Sequence, residues 1–213
     1  TFTEKAARAM QERLITRKTA IEKRFPSIRD IDISEIRIGT LHSIANDVMR
    51  EYRYRPYQNA QLLDELEQLM FVHKNAAIAG SGYLKKSPPD EFWVTFAFLI
   101  DRTTGFYPGR WKRAKAAVDL FNRMVEDRID TQSMKTAGEP NLRLAVELYE
   151  DYAHELERQG YVDFAHMELN FLNFLDSQQA SVFLNGDGTS ARPGISHVLV
   201  DEYQDTNPIQ EMI

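Results

Sequence analysis

At 213 residues, with 43% hydrophobic and 27% charged side chains, the chain has the composition of a soluble globular protein, long enough for one sizeable core or two small ones. It has no cysteine, which excludes disulfides and thiolate metal sites, and His42, His73, His154, His166 and His197 lack the i, i+4 spacing of a zinc helix. The formal charge of −6 argues against nucleic-acid binding by the whole surface, so any such role rests on local basic clusters. These occur at Arg8, Arg13, Arg17, Lys18, Lys23 and Arg24 and again at Arg110, Lys112, Arg113 and Lys115, whereas acids dominate the last third; a solvated helix face explains either basic cluster about as well. No apolar run reaches the length needed to cross a bilayer and the N-terminus shows no signal-peptide stretch, so a cytoplasmic location is expected.

In chain order, Thr3 is placed to cap a helix in which Glu4 favours the first turn and Ala6, Ala7, Met10 and Leu14 share a stripe; Pro26 closes it. Glu35 to Gly39 alternates polar and apolar residues like a short strand, after which Leu41, Ile44, Ala45, Val48, Met49 and Tyr52 repeat at helical spacing. The middle reads as helices: over 60–74 with Leu62, Leu63, Leu66, Leu69 and Met70 inward, over 90–100 on Phe92, Trp93 and Phe96, and over 111–128. Breakers at Gly80 to Gly82, Pro88 with Pro89, Gly105 to Gly109 and Gly138 to Pro140 separate them. A helix from Pro140 through Leu144, Leu148, Tyr152 and Leu156 ends at Gly160, and another runs from Asp163 to about Gln178, before a polar loop with Asn185, Gly186, Asp187 and Gly188.

The run HVLVDEYQDTNPIQ, His197 to Gln210, carries the most chemistry. Val198, Leu199 and Val200 read as a buried central strand that ends at Asp201 and Glu202, where open α/β sheets gather their ligands. A strand-end aspartate can hold Mg²⁺ through a water, and the adjacent glutamate can orient and deprotonate a water attacking a γ-phosphate. The same pair also suits the cap region of a helix starting near Asn207 and Pro208. No segment matches the phosphate loop G-x-x-x-x-G-K-[ST], so these 213 residues are not expected to hydrolyse ATP by themselves. The loop FYPGRWKR, Phe106 to Arg113, mixes aromatic and basic residues as a strand or duplex contact would, but Trp111 shares an apolar stripe with Ala114 and Val118 and is read as core.

DEYQDTN followed by Pro-Ile-Gln is similar to motif II, the Walker B element, of the UvrD/Rep-like superfamily one helicases. TFTEKAARAMQER, Thr1 to Arg13, resembles motif Ia, usually TFTNKAA, and GTLHS, Gly39 to Ser43, resembles motif Ib, usually GTFHS, with Leu41 in place of phenylalanine. LYEDYAHELERQGYVDFAHM, Leu148 to Met167, resembles the stretch upstream of motif II, in which Asp163 and Phe164 match a DFDDL element and Ala165 and His166 replace its acidic pair. The resemblance covers both ends strongly and the middle weakly. It implies a fold that is mainly α with a small α/β part, a helical subdomain inserted into an incomplete RecA-like parallel-sheet domain. Residues 1–53 are then the N-terminal part of the RecA-like core, 54–190 the helical insertion and 191–213 the return to that core. In the family the phosphate loop, Walker A, lies upstream of motif Ia, and motifs III to VI lie beyond motif II.

The resemblance further implies that Phe2 stacks on a base and Thr3 lies near a phosphate of single-stranded DNA, with Thr40 and His42 donating to the DNA backbone. The residues themselves also allow Phe2 as core, Thr40 as a helix cap and Lys5 as either a phosphate contact or a solvated helix face. Glu202 and Gln204 are the implied catalytic residues, Gln204 sensing the γ-phosphate; Asp201, through water, and Glu202 hold Mg²⁺, Asp205 supports the loop and Tyr203 packs. Mg-ATP is then the cofactor of the intact protein, with none bound to this segment alone, and the partners are single-stranded DNA and duplex junctions, with no membrane. The expected function is part of an ATP-dependent DNA helicase that translocates in the three-prime to five-prime direction and unwinds duplex. The alternatives are the helicase part of a recombination helicase-nuclease and a non-catalytic helical interaction module with a decayed helicase core.

Overall fold

Side-chain caps mark where the helices of this chain begin. The computed structural model describes residues 3–26, 33, 36–75, 109–189 and 192–213. Helix α1, Glu4–Arg24, starts at Thr3, whose Oγ1 accepts from Ala6 N at 3.1 Å, and α2, Leu41–Glu51, starts at Thr40, whose Oγ1 accepts from Ser43 N at 3.0 Å. Strand β1, Gln61–Leu62, precedes α3, Glu65–Asn75. The described chain continues with α4, Arg110–Glu126, α5, Thr131–Thr136, α6, Pro140–Gln159, strand β2, Tyr161–Val162, α7, Phe164–Leu175, α8, Ser181–Asn185, and α9, Pro208–Met212. The helix expected over 90–100 lies outside the described residues.

Contacts divide the chain into two compact units, one of residues 1–54 and 173–206, the other of residues 55–172 and 207–213. In the first, Ala45, Val48 and Met49 of α2 are fully buried. Tyr52, Tyr54, Phe174 and Phe183 form an aromatic cluster with ring centroids 5.5 to 6.1 Å apart, the tilted and edge-on arrangement that such rings prefer. Ala7 alone is buried on α1, so its cap and its i, i+4 pair Lys18–Glu22 carry more of its stability than packing does. The strand expected at Val198 to Val200 is not formed: this segment has no regular structure, and Leu199 is 96% exposed. A central strand owes its hydrogen bonds and its cover to neighbouring strands, and no described residue of this unit forms one. The expected strand at 35–39 is likewise absent from its described part, where Ile36 is exposed.

The second unit holds the small sheet. β1 and β2 pair in parallel, Gln61 opposite Tyr161 and Leu62 opposite Val162. Gly160 makes this pairing reachable: at φ 72° it closes α6 in the left-handed conformation, and its carbonyl accepts from Gln61 N at 2.8 Å. Among the described residues the fold is therefore mostly helical with one two-stranded parallel sheet, which lies among the helices and not at the described chain ends where α/β structure was expected.

Helix α3 also departs from expectation. Asp64 and Glu67 form a reciprocal cap, Glu67 N donating to Asp64 Oδ1 at 2.7 Å and Asp64 N to Glu67 Oε2 at 2.9 Å, which starts the helix at Glu65. That start turns Gln68, Phe71 and Val72 inward and leaves Leu66 and Met70 exposed. Phe71 and Val72 join Leu63, Ala114, Ala117, Val118 and Phe121 and the α6 residues Ala145, Leu148, Tyr152 and Leu156 in one core. Phe121 stacks on Tyr152 at 4.6 Å.

Gln68 faces this core because a buried carboxylate waits there. Asp163, which caps α7 through His166 N at 2.7 Å, accepts from Tyr152 Oη at 2.5 Å, from Gln68 Nε2 at 3.1 Å and from His166 Nδ1 at 2.9 Å. Burial alone pushes its carboxyl up, but His166 and these hydrogen bonds outweigh burial and hold it below the usual aspartate range. Tyr149, which shares a hydrogen bond with His166 at 3.4 Å, is pushed up to about 12 by burial and by the negative charges of Asp163 and Glu150.

Since the folded carboxyl of Asp163 titrates below its unfolded value of about 3.9, its contribution is complete above that pH and is lost as pH falls through the folded value. Asp163→Asn is expected to lower stability at neutral pH by about 3 kcal/mol, because an amide presents donors where four donors converge. It should also flatten the fall in urea midpoint between pH 5 and pH 2.5. Urea titrations of both proteins across that range check both effects.

Candidate functional site

The N-termini of α1 and α2 come together. Thr40 Oγ1, besides capping α2, lies 3.2 Å from Glu4 Oε1 and 3.1 Å from Ser43 Oγ, so its single proton goes to one of the two. Ser43 Oγ donates to Thr40 O at 3.0 Å. A Cβ at Gly39 would stand 2.6 Å from Ser43 Oγ, so a larger residue there would push the Ser43 side chain out of this arrangement. The caps Thr3 and Thr40 thus stand at two helix N-termini joined through the Thr40–Glu4 contact, each N-terminus equivalent to roughly half a positive charge, with Lys5 and His42 in the first turns of the two helices. Thr40 is buried and Lys5 exposed. Glu4 already places a carboxylate at this contact. Phe2 lies outside the described residues.

The acidic run forms a solvent-exposed turn. Glu202 adopts φ 52°, ψ 41°, a left-handed conformation that costs a residue with a side chain about 1–2 kcal/mol. It opens the 3₁₀ turn Tyr203–Asp205, in which Asp205 N donates to Glu202 O at 2.9 Å and Thr206 Oγ1 to Tyr203 O at 2.7 Å. Gln204 Nε2 donates to Glu202 Oε2, so the structure joins these two side chains directly. Asp201 and Asp205 are exposed beside them, and Tyr203, expected to pack, is exposed too because the turn projects it outward. No described cluster of three or more His, Cys, Asp or Glu side chains is arranged to hold a metal alone. The oxygens of Asp201 and Glu202 are nevertheless of the kind Mg²⁺ takes, since that ion is commonly held by one or two carboxylates with the phosphates of a nucleotide and water completing its shell.

A family model described as UvrD/REP helicase N-terminal domain matches residues 1–213. The chain belongs to this family. It is 24% identical over 212 residues to DNA helicase II of Haemophilus influenzae, covering 99% of this chain and 24% of that protein. It is 28% identical over 170 residues to an ATP-dependent helicase/nuclease subunit of Listeria monocytogenes, covering 72% of this chain and 12% of that protein. Against the corresponding ATP-dependent helicase/nuclease subunit of Bacillus cereus it is 33% identical over 102 residues, covering 46% of this chain and 8% of that protein. This UvrD/REP domain therefore spans about a quarter or less of the length of these curated relatives.

Two further features of the UvrD/REP chain bear on its surface and were not legible in its sequence. Trp111, read as core, is 53% exposed and stacks on His73 with ring centroids 3.6 Å apart and planes within 8°. Ala114 and Val118, which share its stripe, are buried as expected, together with Ala117. Arg110 Nη2 donates to His73 O at 3.0 Å, and the imidazole is held below its ordinary value by desolvation and then by Arg110. Phe106 to Pro108 of the expected contact loop lie outside the described residues. The second feature is Glu168, buried beside the segment that follows the acidic turn. It reads as an ordinary exposed helix position because its partners lie 39 and 42 positions away.

Removing the Thr40 hydroxyl by Thr40→Ala is expected to cost about 1 kcal/mol in a urea titration, with Thr40→Ser close to the parent. Thr3→Ala should act locally, because α1 is weakly packed: amide exchange should quicken in its first turn with little change in the global midpoint.

Proposed function

We propose that this chain is part of an ATP-dependent DNA helicase, in which the acidic turn serves ATP hydrolysis and the paired helix N-termini grip single-stranded DNA. The observation that carries the reading is the turn itself: Glu202 held at positive φ with Gln204 hydrogen-bonded to it, inside a chain matched end to end by the UvrD/REP domain. In this reading Asp201, through water, and Glu202 hold the Mg²⁺ of Mg-ATP, which supplies neutralisation of the phosphate charge. Glu202 Oε2 takes the proton of the attacking water, Gln204 reports the γ-phosphate, and Asp205 supports the turn. The turn corresponds to Walker B. Residues 1–53 and 191–213 belong to a RecA-like core, and 54–190 form a helical insertion. No stretch of the 213 residues matches the phosphate loop G-x-x-x-x-G-K-[ST], so on this reading these residues alone do not hydrolyse ATP.

Phe2, Thr3, Lys5, Thr40 and His42 form the DNA track. A base stacks on Phe2, and phosphate oxygens accept from His42, from the Thr3 hydroxyl and from the Lys5 ammonium, and from the Thr40 hydroxyl once its proton turns away from Glu4 or Ser43. The substrates are single-stranded DNA and duplex junctions, and the protein acts in the cytoplasm; no described helix is long and apolar enough to cross a membrane. Likeness to the two helicase/nuclease proteins supports a second reading, in which the same motor works inside a helicase-nuclease.

The intact protein is expected to show DNA-stimulated, Mg²⁺-dependent ATPase activity that Glu202→Gln lowers by roughly a thousandfold or more, the scale lost when a positioned catalytic group is removed. The 213-residue chain should show none, and a robust Glu202-dependent ATPase from it would overturn the division of labour proposed here. Fluorescence anisotropy with a labelled oligonucleotide should give weak, salt-sensitive binding to the chain, with Phe2→Ala losing roughly 1–3 kcal/mol of affinity and His42→Ala weakening it as well. Unchanged affinity in both variants would remove the DNA-track assignment.

A further inference from the structure

We propose that Glu168 is a positioning residue for the acidic turn Asp201 to Asp205, an inference that rests on the ATPase reading of that turn. Glu168 is 1% exposed on α7. A carboxylate so deeply buried is stable only when its oxygens are hydrogen-bonded, and an apolar side chain of like volume serves packing as well or better. The segment after the turn supplies two of its hydrogen bonds. Oε2 accepts from Asn207 Nδ2 at 3.3 Å and Oε1 from Gln210 Nε2 at 2.6 Å.

The same two amides use their other ends on each other's backbone. Asn207 Oδ1 accepts from Gln210 N at 2.9 Å, and Gln210 Oε1 accepts from Asn207 N at 3.3 Å, closing the capping box of α9. Each amide therefore has one orientation that satisfies everything: oxygen toward the backbone, nitrogen toward Glu168. Ile209, fully buried with Val125, Ala165 and Leu172, fastens the segment between them.

Asn207 follows Asp205 by two residues, so chain geometry keeps their Cα atoms within about 7 Å. Thr206, the link, is bonded back to Tyr203 O, and Asp205 N is bonded to Glu202 O. Fixing Asn207 thereby fixes one end of the short turn that carries Glu202 and Gln204. Loss of the Glu168 charge frees that end without touching nucleotide or DNA.

The test uses the full-length protein and three variants: Glu168→Gln, Gln210→Glu, and both together. Glu168→Gln replaces an acceptor by an amide, Gln210→Glu sets two carboxylates against each other, and the double variant restores one donor–acceptor pair in reverse. Without nucleotide, amide exchange of residues 201–206 should quicken in each single variant and return toward the parent in the double variant, with the α4 and α6 peptides unchanged. In DNA-stimulated turnover, kcat should fall roughly tenfold in each single variant with KM for Mg-ATP within about twofold, and recover in the double variant. Unchanged exchange at 201–206, exchange that rises throughout the protein, or a double variant no better than the singles would each overturn the inference. A parent protein without ATPase, with the exchange pattern as expected, would overturn the functional reading and leave the positioning role of Glu168 standing.

Discussion

A carboxylate buried as completely as that of Asp163 survives only if every approaching group is a donor, and this constraint organises the helical unit. Its oxygens draw in the amide of Gln68 from α3, the hydroxyl of Tyr152 from α6 and both the backbone and the ring of His166 from α7. Gln68 in turn reaches Asn122 of α4 at 2.7 Å. Four helices are thus held by directional bonds at one depth, and the apolar core of Phe71, Phe121, Leu148 and Leu156 is packed around them. Nonpolar packing alone tolerates sliding of one helix along another; this network does not.

The candidate site obeys the opposite economy. Its described residues lie at helix starts and in a 3₁₀ turn, fixed largely by bonds between near neighbours and, apart from buried Thr40, at least partly open to solvent. Such positions open more readily than a core, which suits groups that must meet a ligand. Glu202 in its left-handed conformation is a local cost of that arrangement, offset by the hydrogen bonds of the turn.

Much of the helical content was legible, as were its boundaries where caps set them. Thr3, Thr40, Asn207 and Gly160 act as their residue types suggest, and α4, α6 and α7 lie close to where their periodicity placed them. The motifs at both ends sufficed to name a family that the whole-chain match supports. The strand expected at Val198 to Val200 does not form because an apolar β-branched run states a preference for burial without supplying partners, and Leu199 has none of its expected cover here. Trp111 lies on the expected stripe with Ala114 and Val118 but in the first turn of α4, where it stacks on His73 and stays half exposed, and α3 differs by its capping box, which moves the start to Glu65 and rotates the buried face.

By itself the sequence determined where most of the described helices start and stop and which short motifs the chain carries, because caps, turns and motif spacing depend on residues only a few positions apart. The tertiary structure alone decided which faces are buried, that the parallel sheet joins Gln61 to Tyr161, and that the carboxyl groups of Asp163 and Glu168 are enclosed. Those outcomes depend on partners far along the chain, as Gln68 is 95 positions from Asp163, and a buried charge becomes stable only when such distant donors arrive together.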